Sequence, residues 1–176
     1  IVTHRADKPL SASVYTEMGS WATRKNGFSV GHKSDKLNVR LGASHLESDG
    51  ENISIQGDED DGYQNTSVNL NAGWNVNDEF KLSFTARQSD GMSEFDADSD
   101  FDNIVDDQDK VSEFRNTTSG LQADYQSADG YWQHKWLVAQ SNNNNESFTD
   151  GVKGTSTDAI KNQYQYVGSL FWDASA

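Results

Sequence analysis

The residues best placed to do chemistry are carboxylates, and they are crowded. From Asp96 to Asp107 the chain reads DADSDFDNIVDD, with Asp96, Asp98, Asp100 and Asp102 at every second position and Asp107 at the twelfth place. Those are oxygen-donor positions of an EF-hand loop, but Phe101 stands where that loop needs its turn glycine and no helical pattern flanks the segment, so an EF-hand as such is excluded. A second crowd, Glu47, Asp49, Glu51, Asp58, Glu59, Asp60 and Asp61, lies upstream. Adjacent carboxylates repel one another unless solvated or neutralised. On a flexible backbone they suit a hard cation that takes six to eight oxygens. The plain alternative is a solvated acidic loop without metal, which is what charge runs usually are.

Other chemistry finds little support. There is no cysteine, hence no disulfide framework, thiolate metal site or thiol nucleophile. His4, His32, His45 and His134 are scattered, without the spacing of a metal pair such as HExxH. Paired carboxylates could serve a glycosidase, but nothing points to a closed, desolvated pocket that would raise one of their pKa values. The expectation is therefore a protein that is not an enzyme. A net charge of -14 argues against a nucleic-acid partner, whose phosphates would be repelled. The Asn-x-Ser/Thr sequons at Asn52, Asn65, Asn116 and Asn145 are expected by chance in an Asn-rich chain.

The elements that must hold these carboxylates follow from alternation. In Thr66–Arg87, Thr66, Val68, Leu70, Ala72 and Trp74 fall on one side of a strand and Ser67, Asn69, Asn71 and Gly73 on the other; after Asn75–Asp78 the same contrast separates Phe80, Leu82, Phe84 and Ala86 from Lys81, Ser83, Thr85 and Arg87. A period of two over such a length predicts a hairpin of two half-buried strands. Similar patterns run from Leu10 to Trp21, around Phe28 and Val30, from Leu37 to Ser44, from Thr117 to Tyr125 and from Trp132 to Val138. A last strand is expected from Gln163 to Trp172, its faces unassigned, and Ile1–Arg5 reads as a small separate strand closed by Pro9. Only 34% of residues are hydrophobic, yet the aromatic share is 11% and ordered in this alternation, which argues against disorder.

Eight strands of roughly ten residues each suffice to cross a bilayer obliquely, and no run approaches the ~20 apolar residues of a membrane helix. Tight connections are expected at 33–36, 75–78 and 127–130, and long ones at about 47–65, 89–115 and 141–161. In an up-and-down sheet these alternate between the two ends. Short turns at one end and long loops at the other predict an all-β, antiparallel up-and-down transmembrane β-barrel with short periplasmic turns and long extracellular loops. Trp21, Trp74, Phe80, Trp132 and Trp172 fall near strand ends, where rings favour the headgroup interface. Arg40, Lys81, Arg87 and Lys135 are expected on the lumenal side. A soluble β-sandwich also alternates, but uniform long strands and sorted loops weigh against it.

These residues resemble a family, the TonB-dependent outer-membrane receptors, which are 22-stranded barrels with an N-terminal plug. Ile1-Val2-Thr3-His4-Arg5 resembles the closing strand of the plug, commonly N-I-[IV]-T-[KR]; Tyr15–Arg24 resembles the first barrel hairpin, and Asp60–Ser67 the approach to the fourth strand. The resemblance implies that residues 1–8 are the end of the plug and its linker, and that 9–176 are barrel strands one to eight, a portion of the larger barrel. It implies a bacterial outer-membrane location, partnership with membrane lipid, plug and TonB, and active uptake of a scarce small-molecule ligand such as cobalamin or a siderophore. Receptors of the vitamin B12 class order the corresponding loops with calcium. Asp58, Asp60, Asp61, Asp96, Asp98, Asp100 and Asp102 are accordingly the candidate ligands, and Ca²⁺ the expected ion. Other readings are a complete eight-stranded barrel, which does close on itself, acting as an adhesin or structural protein, and a soluble calcium-binding β-domain.

Overall fold

A computed structural model describes Ala6 and residues 8–54, 59–98 and 100–172. The predicted strand Ile1–Arg5 lies outside the described residues. Eight strands follow in order: β1 (Leu10–Met18), β2 (Arg24–Lys33), β3 (Leu37–Ser48), β4 (Tyr63–Asn75), β5 (Phe80–Glu94), β6 (Lys110–Gln126), β7 (Trp132–Thr149) and β8 (Val152–Leu170). They form one antiparallel up-and-down sheet in which each strand pairs only with its neighbours in sequence. No helix occurs among the described residues. The sheet is open, with β1 and β8 as its edges.

Side-chain chemistry closes the tight turns. Ser34 accepts the Leu37 amide on its hydroxyl (3.0 Å), Asn77 Oδ1 accepts the Phe80 amide (2.7 Å), and Asp129 Oδ1 accepts the Tyr131 amide (3.0 Å). These are the local side-chain-to-backbone bonds that make Ser, Asn and Asp turn residues. All three turns lie at one end of the sheet.

At the other end the expected loops are shorter. Pairing persists to Ser48↔Tyr63 and to Glu94↔Val111, so the first two contract to 49–62 and 95–109. The long loop expected at 141–161 is not a loop: β7 and β8 pair through it to a two-residue turn at Asp150–Gly151, with one irregularity between Glu146 and Phe148. Both turn residues have positive φ, 50° and 69°, as a type I′ hairpin requires. Ser141–Glu146 is polar on both faces, so no alternation betrays the strand. The expected strand Leu10–Trp21 likewise ends at Met18, because Trp21 and Ala22 take positive φ in the turn. Strands grow from 9 residues in β1 to 19 in β8 rather than keeping a length near ten.

The register sorts the faces. Cross-strand partners share a face, and the row Val14–Phe28–Ala43–Val68 and the row Leu37–Trp74–Leu82–Ala123–Trp136–Tyr166 belong to one side. Arg40, Asn71, Thr85, Gly120 and Gln163 belong to the other. The last strand is thereby settled: Tyr164, Tyr166 and Leu170 join the apolar side. That side is uncovered. Val14 is 85% exposed, and Ala6, at 3%, is the only buried apolar residue among those described. Among the described residues no hydrophobic core lies under the sheet.

The apolar residues do not fill their face from end to end. They form a band that occupies Leu10–Met18 in β1, Leu37–Ala43 in β3, Phe80–Ala86 in β5 and Trp132–Val138 in β7. Directly paired rows cross it obliquely: the row through Val14 and Val68 has become Gln88, Thr117 and Asn142 by β5–β7. The band therefore slants toward the tight-turn end as the sheet proceeds from β1 to β8.

Candidate metal centre in the acidic loops

Two loops carry the carboxylates, and glycine and glutamate bind their bases together. Gly50 has φ +78°, and a Cβ there would fall 1.8 Å from the Asp61 carbonyl oxygen, so only glycine lets the ends of loop 49–62 meet. Across to the next loop, Glu94 Oε2 accepts the Gly62 amide (2.9 Å) while the Glu94 amide donates to the Gly62 carbonyl (2.9 Å). Farther out, the Ser54 hydroxyl donates to the Val105 carbonyl at 2.8 Å. Loop 95–109 is itself a narrow excursion, held by Phe95 N–Lys110 O and by a bridge between Ala97 and Asp106.

The candidate ligands divide into two groups. At the tip, Asp98, Asp100 and Asp102 each bring a carboxylate oxygen within 4.8 Å of the others. Oxygens at 2.3–2.6 Å from one calcium ion can be about 5 Å apart across it, so the spacing fits. Much of this convergence has a local cause: Asp98 accepts the amides of Asp102 (3.1 Å) and Asn103 (2.9 Å), Asp100 accepts Asp102 N (3.2 Å), and Asp102 accepts Ile104 N (2.8 Å). The carboxylates thus cap a turn in which Phe101 and Asn103 hold positive φ. Each keeps further lone pairs for a cation.

At the base, Asp96 is 9% exposed, and its Oδ1 accepts the Gln108 amide at 2.9 Å. Its Oδ2, like that of Asp61, is covered by protein and has no hydrogen-bond partner among the described residues. Asp61 is pushed above the ordinary carboxylate value, first by burial and then by the charge of Asp96, with Glu94 and Asp107 adding to it; a bond from the Ile53 backbone opposes the shift. Covered carboxylate oxygens without donors are costly. Oxygen donors only, and an excess of negative charge, are the donor set of a hard ion.

Asp60 is exposed, and Asp58 lies outside the described residues. Sequence spacing alone missed Glu94, which acts on Asp61 across the gap between loops, as does Asp107, whose spacing marked it only as the twelfth place of its own loop. Both belong to the same acidic runs, but only the pairing of β4 with β5 brings those runs together.

The histidines of the described chain converge on nothing. His45 Nδ1 lies 2.8 Å from Thr66 Oγ1 on one part of the sheet, and His134 Nδ1 lies 2.8 Å from Tyr166 Oη on another. No protein-family model matches the chain, and no curated protein is significantly similar to it.

Proposed function

We propose that the chain is part of the wall of an outer-membrane TonB-dependent receptor that takes up a scarce small molecule, cobalamin, a siderophore or similar, with acidic outer loops ordered by calcium. The observation that carries this reading is the slanted apolar band. A bilayer presents a hydrocarbon layer of constant height, and strands that cross it at ~40° must trade polar for apolar residues obliquely to their hydrogen-bonded rows. Leu10–Met18 measures about 27 Å along the strand, or roughly 20 Å along a membrane normal at that tilt, close to the ~25 Å band of such barrels. A soluble sheet would bury this face, and here it is bare.

Secondary support comes from the aromatic residues. Trp74, Phe80, Tyr125, Trp132 and Trp136 collect at the tight-turn end, the position of an interfacial girdle. Closure into the barrel requires that β1 and β8 find further strands, and the plug and TonB would supply the energised opening. Calcium rests on the unpartnered oxygens of Asp61 and Asp96 and on the convergence of Asp98, Asp100 and Asp102.

Purification decides the membrane reading. The protein is expected to need detergent or lipid to stay dispersed, and in vesicles its band residues should be shielded from aqueous quenchers while loops 49–62 and 95–109 remain accessible. A monomer stable in plain buffer would refute it. Titration calorimetry with Ca²⁺ on the detergent-held protein tests the ion separately, and no heat at millimolar concentration would remove calcium from the proposal.

A further inference from the structure

His45 meets no other histidine, yet it stands between a hydroxyl and a carboxylate. Its Nδ1 lies 2.8 Å from Thr66 Oγ1, and its Nε2 lies 3.6 Å from Glu47 Oε2. The strands make this arrangement. His45 and Glu47 are two apart on β3 and so share the side that carries the apolar band, and the register sets Thr66 of β4 directly opposite His45. Arg24, opposite Glu47 on β2, brings Nη1 to 4.0 Å from the Glu47 carboxylate. A carboxylate beside Nε2 favours the tautomer that carries its proton there, which leaves the Nδ1 lone pair to accept the hydroxyl proton of Thr66. A nucleophile, a base and a third group that orients the base are the parts that activate a hydroxyl for covalent catalysis. Thr66 is exposed, and the side chains of His45 and Glu47 are 43% and 44% exposed, so the group is open to an incoming molecule. No spacing in the sequence shows it, because His45 and Thr66 meet only through the pairing of β3 with β4.

We propose that this group cleaves carboxylic acyl esters of amphiphiles, with Thr66 as nucleophile, His45 as general base and acid, and Glu47 as a positioning residue. A cross-strand His–Thr contact is by itself ordinary; the surroundings of Thr66 give this one a substrate. Toward the tight-turn end, a groove of about 380 Å³ lined by Val68, Leu70 and Ala86 starts at Thr66 and covers about 13 Å of β4. Toward the loops, a hollow of about 410 Å³ is lined by Gln64, Asp90, Glu113, Arg115 and Asn144. Thr66 lines both. An acyl chain in the groove and a polar head in the hollow set the ester that joins them at Thr66 Oγ1. The height agrees. Ala43 and Val68 are the last apolar pair of β3 and β4, and His45 and Thr66 are the next pair on that side. In a bilayer they meet the boundary between hydrocarbon and headgroups, where acyl esters lie. Thr66 Oγ1 attacks the acyl carbon as its proton passes to His45 Nδ1, and the carbonyl oxygen becomes an oxyanion, for which Gln64 and Arg115 in the hollow are the donors. The alkoxide leaves with the proton from Nδ1, and the acyl group stays bonded to Oγ1. Water then attacks the acyl-threonine, losing its proton to Nδ1, which returns it to Oγ1 as the acid departs. Ester and water give acid and alcohol, with no other reactant.

The inference rests on the membrane reading only for where the amphiphile comes from; the arrangement of Thr66, His45 and Glu47 stands without it. The test uses the protein held in an alkyl maltoside, a detergent without an ester, and p-nitrophenyl decanoate in the same micelles. Release of p-nitrophenol is expected, with an acyl adduct on the peptide that holds Thr66 seen by mass spectrometry after an acid quench. Thr66→Val should fall to the rate of protein-free micelles and lose the adduct, while Thr66→Ser should keep turnover. His45→Gln should lose about 100-fold or more. Glu47→Gln should lose about tenfold or more, in kcat rather than KM, with Glu47→Asp recovering part of the loss. Thr85→Val, on the opposite face, should match the unaltered protein. Vesicles of diacyl phosphatidylethanolamine decide the source of the substrate: released fatty acid names the bilayer lipid, and turnover of the free ester alone names a dissolved amphiphile. No release above that of protein-free micelles, an adduct elsewhere than Thr66, or undiminished turnover in His45→Gln would each overturn the proposal. Hydrolysis by a protein that stays dispersed without detergent would sink the receptor reading and leave this one intact, whereas a protein that requires detergent and hydrolyses nothing would do the reverse. Retained strand circular dichroism in Thr66→Val establishes that lost turnover is not lost folding.

Discussion

Replacing Leu41 by arginine separates a lipid-facing sheet from a water-facing one. Leu41 lies in the middle of the apolar band, in the row Ala12–Val30–Leu41–Leu70, and is 37% exposed. In a bilayer its side chain meets hydrocarbon near the midplane, where an arginine on a barrel exterior costs about 2–4 kcal/mol. At about 1.4 kcal/mol per decade this is a shift in the folding equilibrium of roughly 30-fold to several hundred-fold. Met18→Arg, at the outer end of the band in β1, should cost only ~0–1 kcal/mol. Thr85→Arg, exposed on the polar face, should be close to neutral. Reversible urea unfolding in phospholipid vesicles, followed by tryptophan fluorescence, measures all three. The graded order Leu41 > Met18 > Thr85 is the expected outcome. Were the face in water, an exposed Leu→Arg change would fall within about 0.5 kcal/mol of wild type, and that result for Leu41 would refute the membrane assignment.

Other expectations concern the loops and the chain's approach to the sheet. The folded protein holds the Asp61 proton more tightly than the unfolded chain, whose value is near 3.8, so this group favours the ordered loops at low pH and that contribution is lost as pH rises through its raised value. In chelator, limited proteolysis of loops 49–62 and 95–109 should therefore be slower under mild acid than at neutral pH. Asp61→Asn should slow it at neutral pH while weakening Ca²⁺ binding; faster cleavage in acid would contradict this. Gly50→Ala forces a Cβ into the Asp61 carbonyl at positive φ and should destabilise loop closure by about 1–3 kcal/mol, seen as faster cleavage in 49–62 alone. Asn38→Ala strips the Ala6 amide and carbonyl of their partner, an effect of ~1–3 kcal/mol that hydrogen exchange at Ala6 would register.

The sequence announced the strands wherever one face is apolar, because the period of two is then a contrast between solvents. Trp74 and Phe80 flanking Asn77 placed a turn within a residue of where it lies, since Asn77 itself caps it. Legibility failed above the apolar band. From Gln140 to Glu146 both faces of β7 are polar, and Gln140–Asn162 and Asn144–Asp158 hydrogen bonds stabilise a ribbon whose composition looks like a loop. The outer halves of β5 and β6 were hidden for the same reason. At the acidic site, the spacing of Asp98, Asp100 and Asp102 identified the group that local chain geometry gathers. The juxtaposition of Asp61 with Asp96 depends on which strands are neighbours, and no spacing within one segment encodes it.

Pairing only between consecutive strands also shapes how the sheet can assemble. Contacts confined to sequence neighbours make growth one-dimensional, each strand zipping onto the last at a cost set by the connection between them. The two-residue turn between β7 and β8 closes cheaply, whereas loops 49–62 and 95–109, at about fifteen residues, are nearly three doublings longer and cost roughly 1.8 kcal/mol more in closure entropy. The acidic loops are thus the slow seams between fast-forming blocks, β1–β3, β4–β5 and β6–β8. Electrostatic repulsion between the loops adds to that barrier, so a cation that neutralises them would act as a folding catalyst for the joints as well as a brace for the finished rim.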